Sequence, residues 1–287
     1  MRQKELKEEK MTDSIIRIGK SILQHGKAND RIYLIKLCKD DVFDIFSLFK
    51  QLVSKYNYKK IFAKVPYSVK QLFLDDDYVI EAHIPNFYYG TDDVFFMAKY
   101  FSSDRSSVKN QEEIKNVLKT ALKTQMKQEI ELKEGFYFKK PEVNDITKMV
   151  QLYKKVFESY PFPIFDPNYI LETMHKNVDY FGIWKSNNIV AIASSEMDLD
   201  SQNTEMTDFA TLPEYYGNNF SVYLLNEMEK DAEKRNIKTS YTIARSVSYG
   251  MNICFSKMGY TFTGTLNNNT NICGSLENMN VWYKFLT

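Results

Sequence analysis

Residues 207–221, TDFATLPEYYGNNFS, run from a strand-like segment through Leu212-Pro213 into a turn with one glycine, and the helix-like VYLLNEMEKDAEKRNI follows at once. A strand, a glycine turn and a helix start in that order can hold a diphosphate. The backbone N–H groups of the turn and of the first helical turn converge on one spot, where the helix dipole favours negative charge. Gly217 lets the backbone close round a phosphate where a side chain would stand in the way. Four carboxylates, Glu196, Asp198, Glu205 and Asp208, crowd the strand pair 189–212 that leads into this turn. Many α/β proteins carry a strand–glycine–helix turn, so its meaning depends on the elements around it.

Those elements fall into two halves, 1–130 and 131–287, joined through the polar FSSDRSSVKNQEE and an amphipathic helix expected over 112–130. The first half reads as a hairpin, 18–24 and 31–37, around His25-Gly26. A helix follows with Val42, Ile45, Phe46, Phe49, Leu52 and Val53 on one face. Strand 60–65, a short helix and strands 78–84 and 94–101 complete it. In the second half, strand 136–139 precedes a helix over 145–158 and a second helix capped by Asp166 with Pro167 at its first position. Then come strands 181–185, 189–199 and 204–212, with Asn187-Asn188 as the tight turn between the first two. The helix from Asn219, strand 240–244, helix 248–258 and strands 260–266 and 280–286 finish the order β-α-α-β-β-β-α-β-α-β-β. The stretch from KKIFAKVP to MAKYF tracks that from KTSYTIAR to WYKFL, both strand, helix, strand, loop, strand. The first half thus reads as a degenerate copy of the second that lacks the phosphate turn.

A chain of 287 residues accommodates two domains of about 130–150 residues each. With 38 basic and 37 acidic residues the formal charge is +1, which offers no footprint for nucleic acid, so an anion site must be local. The opening MRQKELKEEKM is too charged for a secretory signal, and no apolar run approaches the ~18–20 residues of a membrane span. Three scattered cysteines (38, 254, 273) read as reduced thiols, and the expected location is the cytoplasm. Histidines 25, 83 and 175 are too far apart for a local metal motif, and no metal is expected. The sequence carries no indication of oligomeric state.

The element order with LPEYYGNNFS at its centre resembles the Gcn5-related N-acetyltransferase (GNAT) superfamily over about residues 135–287. The family's acyl-CoA motif, roughly V-x-P-x-Y-R-G-x-G-I-G, aligns with Thr211, Pro213, Tyr215, Tyr216, Gly217, Asn219, Phe220 and Ser221. Tyr216 stands where Arg or Gln is usual, Asn219 replaces a glycine, and Ser221 replaces Gly or Ala. LQHGKANDRIYLIKL, IFAKVP, YPFPIFDPNYILETM, SSEMDLDSQNTEMTDFATLPEY and GTLNNNTNICGSLENMNVWYK are similar to the β-lysine N-acetyltransferase family over nearly the whole chain. The resemblance implies a mixed α/β GNAT fold, with a central, mostly antiparallel sheet flanked by helices. It further implies acetyl-CoA as donor, the side-chain amine of β-lysine as acceptor, and a product that serves as a compatible solute.

The same resemblance distributes roles. Tyr216, Gly217, Asn218, Asn219, Phe220 and Ser221 would hold the diphosphate, and free N–H groups near Phe209, Ala210 and Thr211 the pantetheine arm and the thioester oxygen. A lysine-type amine with a pKa near ~10.4 needs a base, for which Glu205 is the first choice and Glu196 the second. From its place at the end of strand 240–244, where α/β-type sites open, Arg245 is expected to take the acceptor carboxylate, and the amide run with Asn268 to meet polar groups of the acceptor. Asp208, Tyr160 and Phe162 would line the acceptor pocket under a proline-stiffened lid. Phe255 occupies the position of the family's usual proton-donating Tyr, leaving Tyr249, Tyr216 or Tyr260 to substitute or the thiolate to leave unaided. Ser248 and Asn252 on that helix are expected cofactor contacts. A non-catalytic acyl-CoA-binding or regulatory module, and an acetyltransferase for another small polyamine or amino acid, remain alternatives.

Overall fold

The computed structural model describes residues 13–108, 110–124 and 131–286. The segment MRQKELKEEKM and positions 125–130 of the expected linking helix lie outside them. The first half contains β1 (Ser14–Ile18), β2 (Ser21–Gly26), β3 (Arg31–Lys36), α1 (Val42–Tyr56), β4 (Lys60–Pro66), α2 (Lys70–Asp75), β5 (Val79–Tyr88) and β6 (Asp92–Tyr100). Helices α3 (Ser103–Ser106) and α4 (Gln111–Leu122) lead to β7 (Phe136–Lys139), α5 (Ile146–Val156), α6 (Pro167–Met174), β8 (Val178–Lys185), β9 (Asn188–Asp198) and β10 (Asn203–Thr211). The chain ends with α7 (Phe220–Lys234), β11 (Thr239–Arg245), α8 (Tyr249–Lys257), β12 (Thr261–Ile272) and β13 (Ser275–Phe285).

Two mixed sheets result, ordered β1-β2-β3-β4-β6-β5 and β12-β13-β11-β10-β9-β8-β7. Read from β8, the second sheet repeats the first strand for strand. In each, the one parallel pair (β3–β4, β10–β11) is joined by a crossover helix, α1 or α7, because parallel neighbours need a long connection. Helix α1 buries Val42, Ile45, Phe49 and Leu52 at helical spacing, each worth about 1.5–3 kcal/mol. The apolar run of β9 is buried on both faces, Val190 and Ala193 toward α7, Ile189 and Ile192 toward α5 and α6. Asp166 caps α6 by accepting from the Asn168 N–H at 2.9 Å, with Pro167 at the first position, as the sequence signals require.

A shared core joins the sheets, with Phe62, Ile84, Phe87 and Phe96 of the first against Tyr241, Leu266 and Val281 of the second. The edge strands β5 and β12 meet so closely at Gly264 that a Cβ there would stand 2.1 Å from the Glu81 carbonyl oxygen.

Three local expectations shift. The hairpin closes at 27–30, and His25 and Gly26 finish β2, whose amides pair with β3. The β8–β9 turn is Ser186-Asn187, with Ser186 at φ +54°. The amide run 267–270 is no loop: it belongs to β12, buried between the halves. Among the described residues, no helix is long and apolar enough to cross a membrane.

Candidate active site

Strand β10 pairs with β11 only through Asn203↔Thr239, Thr204↔Ser240 and Glu205↔Tyr241, after which the two strands part. On its other edge the β9–β10 ladder is interrupted between Thr207 and Ala210, where Asp208 turns to φ +54°. A bulge of this kind bends a strand and leaves ladder groups unpaired. A cleft of about 1210 Å³ fills the opening, lined by Phe209 and Thr211 on one side and 242–245 on the other.

One end of the cleft is the glycine turn. Pro213–Tyr215 forms a 3-10 turn, Gly217 follows at φ +82°, and Asn219 precedes α7 at φ +56°. The left-handed region explains both residues, because Gly and Asn enter it at least cost. Asn219 is the N-cap by position, yet its side chain makes no capping bond. Among the described residues, none of the backbone N–H groups of 217–221 donates a hydrogen bond. A Cβ built at Gly217 meets nothing within 4 Å, so open space borders the turn that carries those donors. Free donors, a helix start and an empty hollow fit a diphosphate. Tyr216, Asn218, Phe220 and Ser221 border the same hollow.

The other end is acidic. Glu205 and Glu196 stand directly opposite across the β9–β10 ladder and both open onto the cleft. Glu205 Oε2 accepts from the Tyr241 hydroxyl at 2.9 Å, which in turn accepts from Lys64 Nζ at 3.1 Å. Asp208 accepts from the hydroxyls of Ser194 and Tyr160. Burial raises all three carboxyls above their ordinary values. Glu196 reaches about 7, first through burial and then through the charge of Glu205. Its surface is open to water in the cleft, but protein walls surround it, and those walls strip the long-range solvation a carboxylate needs.

The lid closes over this end. Tyr160 and Phe162 line the cleft, and the Pro161 carbonyl accepts from Gln24 Nε2 of the first sheet at 3.0 Å. Ser248 lines the cleft and caps α8, accepting from the Met251 N–H.

Several expected residues stand elsewhere. Asn268 is buried, its amide donating to the carbonyls of Arg105 and Ser107, so it ties the halves together and faces no small molecule. Asn252 is likewise buried, donating to the Arg245 and Ser248 carbonyls and accepting from Asn280 and Trp282, which makes it a brace and not a cofactor contact. Ala210 resumes the β9 ladder opposite Ile192 and buries its side chain in the core. Tyr249 is half-exposed and absent from the cleft lining, and the buried Tyr260 hydroxyl is bonded to Ser240. Of the three substitute acids only Tyr216 borders the cleft. Phe255 lies edge-on to Phe209 at 5.6 Å and closes the cleft floor without a proton to give. Arg245 lines the cleft, but Glu277 holds its guanidinium at 3.0 Å. The sequence reading missed Gln24, Arg31, Lys64 and Tyr241; the signal available was a charged or amide residue alternating with aromatic ones in β3 and β4.

The Acetyltransferase (GNAT) family model matches residues 146–260. The chain is 46% identical over 275 residues to the β-lysine N(6)-acetyltransferase of Methanococcus maripaludis, spanning 95% of this chain and 98% of that protein. It is 40% identical to the β-lysine N(6)-acetyltransferase of Methanosarcina mazei over 64% of this chain and 68% of the other. A solved spermidine N-acetyltransferase from Vibrio cholerae, in complex with CoA and spermine, superposes with a TM-score of 0.46 at 16% identity, over 54% of this chain and 97% of that one. The family match and the 46% identity over nearly the whole chain, on a fold with parted central strands, place the chain in the β-lysine N(6)-acetyltransferase family of GNAT enzymes, as an N-acetyltransferase that uses acetyl-CoA.

Proposed function

We propose that the protein moves an acetyl group from acetyl-CoA to the side-chain (ε) amine of β-lysine by direct attack in a ternary complex. The observation that carries this reading is one cleft with an anion-binding turn at one end and a cluster of perturbed carboxylates at the other. The 46% identity to the Methanococcus enzyme supports β-lysine as the acceptor.

Bound acetyl-CoA supplies an activated thioester. The amides of 217–221 hold its diphosphate, and the unladdered backbone near Phe209 and Thr211 orients the acyl end between the parted strands. The acceptor amine arrives as an ammonium ion with a pKa near ~10.4 and must lose a proton. The Glu205–Glu196 pair takes that proton at a carboxylate oxygen; two coupled carboxyls share it, so the pair is the base. Tyr160, through Asp208, sets the acceptor face of the bulge. Phe255 beside the cleft floor has no proton to give and Tyr216 stands at the diphosphate end, so the thiolate leaves unaided.

We also assign residues 1–130 as a degenerate GNAT-like half and 131–287 as the transferase half. The common strand order supports this, and Asp40 and Asp41 ahead of α1 would repel the anion that the turn before α7 attracts. Free cysteines 38, 254 and 273 suit a reducing cytoplasm, and the acetylated product suits a compatible solute.

Thiol release from acetyl-CoA with β-lysine, followed by mass spectrometry of the product, tests the reading. Stoichiometric release and a β-lysine acetylated on its ε-amine are expected. Saturable CoA binding without turnover would instead favour an acyl-CoA-binding module, the reading to which Phe255 lends weight. Faster turnover of spermidine or lysine would reassign the acceptor.

A further inference from the structure

The first sheet turns one face to the cleft: Arg31 and Tyr33 from β3, Phe62 and Lys64 from β4, and Gln24 from β2. The alternate residues Leu23, Ile32, Leu34, Ile61 and Ala63 lie on the opposite face against α1. Polar groups on the cleft face lack the partners their burial demands. Arg31 is 2% exposed; its Nη1 donates to the Asn269 carbonyl and to Thr270 Oγ1, but its Nε has no acceptor. Gln24 is 1% exposed and its Oε1 has no donor. Lys64 Nζ donates to the Tyr241 hydroxyl. Both cations rest on one ring, 5.1 Å and 5.8 Å from the Tyr33 centroid. Among the described residues, no carboxylate lies within 4.0 Å of either. Of the other cleft cations, Lys176 is paired with Glu172 and Arg245 with Glu277, although the Arg245 Nε has no acceptor. Arg17 and Lys257 line the cleft without an ion pair within 4.0 Å among the described residues.

Arg31 is a buried cation with an idle donor and no anion beside it, a costly state unless a ligand supplies the anion. Lys64, held by Tyr241 on the Glu205 side, brings a second positive charge to the same ring. We propose that Arg31 and Lys64 bind the carboxylate of the acceptor, so that the first half recognises the amino-acid head group and the second carries out the transfer. This rests on an amino acid being the acceptor. Gln24 Oε1 then accepts from the amine beside that carboxylate, while the acidic wall of Glu196 and Glu205 lies toward the reacting amine. Burial pulls the Arg31 guanidinium down to about 10, and a carboxylate ligand would oppose that pull. A linear polyamine brings no anion and presses a second ammonium on two cations, so the same wall rejects it.

The test compares β-lysine with its carboxamide, which keeps shape and amines but loses the negative charge. Wild-type kcat/KM should fall about 30- to 100-fold from acid to amide, the range for a charge-assisted pair. Calorimetric binding should show the same gap without turnover. In Lys64→Met and Arg31→Gln the gap should largely close, with KM for acetyl-CoA unchanged. Arg31 also holds β12, so if Arg31→Gln does not fold, Lys64→Met and the wild-type comparison decide. An amide as good as the acid, or variants that lose equally on both, overturns the clamp. No turnover of β-lysine at all fails the acceptor assignment instead, and calorimetry with lysine against its carboxamide then judges the clamp on the same gap.

Discussion

Glu196 and Glu205 face each other across one ladder, and a charge on either makes a charge on the other dearer. Tyr241, backed by Lys64, favours the ionised form of Glu205, and the raised value of about 7 at Glu196 follows from burial and that neighbour. A carboxyl raised to about 7 keeps its proton below that pH, so base action grows as pH climbs through about 7. Glu205→Gln should lower kcat about 10²-fold at neutral pH, with a smaller deficit where the amine is already neutral, near ~10. A pH–rate series decides it: equal loss at every pH removes Glu205 as base. Stability offers an independent check. Because the folded value lies above the ordinary 4.5 of a glutamate, the contribution of Glu196 is present below 4.5 and lost as pH rises to about 7. Glu196→Gln should therefore raise the melting temperature relative to the parent above pH 7 and leave it nearly unchanged below 4.5.

At the scale of elements, the turn before α7 takes its shape because two positions in three residues leave the usual backbone region, Gly217 at φ +82° and Asn219 at φ +56°. The departure from glycine at 219 is thereby accounted for, since Asn tolerates that conformation. Gly217→Val would force a β-branched residue to positive φ, at a cost of about 1–3 kcal/mol, and place methyl groups where the phosphates go. The KM for acetyl-CoA should rise at least ~10-fold with that of the acceptor little changed. Unaltered CoA affinity by calorimetry would show that the hollow is not the anion site.

Across the whole molecule the two sheets are held by a shared aromatic core and by buried polar ties. Lys60 Nζ, paired within its own sheet with Glu81 at 2.9 Å, donates across to the Asn267 carbonyl at 2.7 Å, and Asn268 and Arg31 add further bonds between the halves. The first sheet supplies one wall of the cleft, so whatever loosens the contact between the sheets moves that wall. Gly264→Ala would drive a methyl into the backbone of β5, and destabilisation of about 2–3 kcal/mol is expected. Denaturant midpoints would measure it; no shift would mean that the strands part freely, and the shared wall would then be a loose one.

Local signals determined much of this. Asp166-Pro167 set the start of α6, the 3.6-residue stripe set α1, and TLPEYYGNNF placed the phosphate turn, because caps, periodicity and glycine turns act over a few residues. The order of elements along residues 136–286 followed from the same signals, whereas the order of strands within the sheet did not. What the sequence alone left open involved groups far apart along the chain. Asn268 and Asn252 looked like polar contacts and are interior braces, since an amide's role depends on which carbonyls surround it. Arg245 looked free until folding set Glu277 beside it. Arg31 and Lys64 face the transferase half only because two sheets dock edge to edge. Burial and pairing across more than a hundred residues are properties of the folded chain, and they decide which charges are spent and which await a ligand.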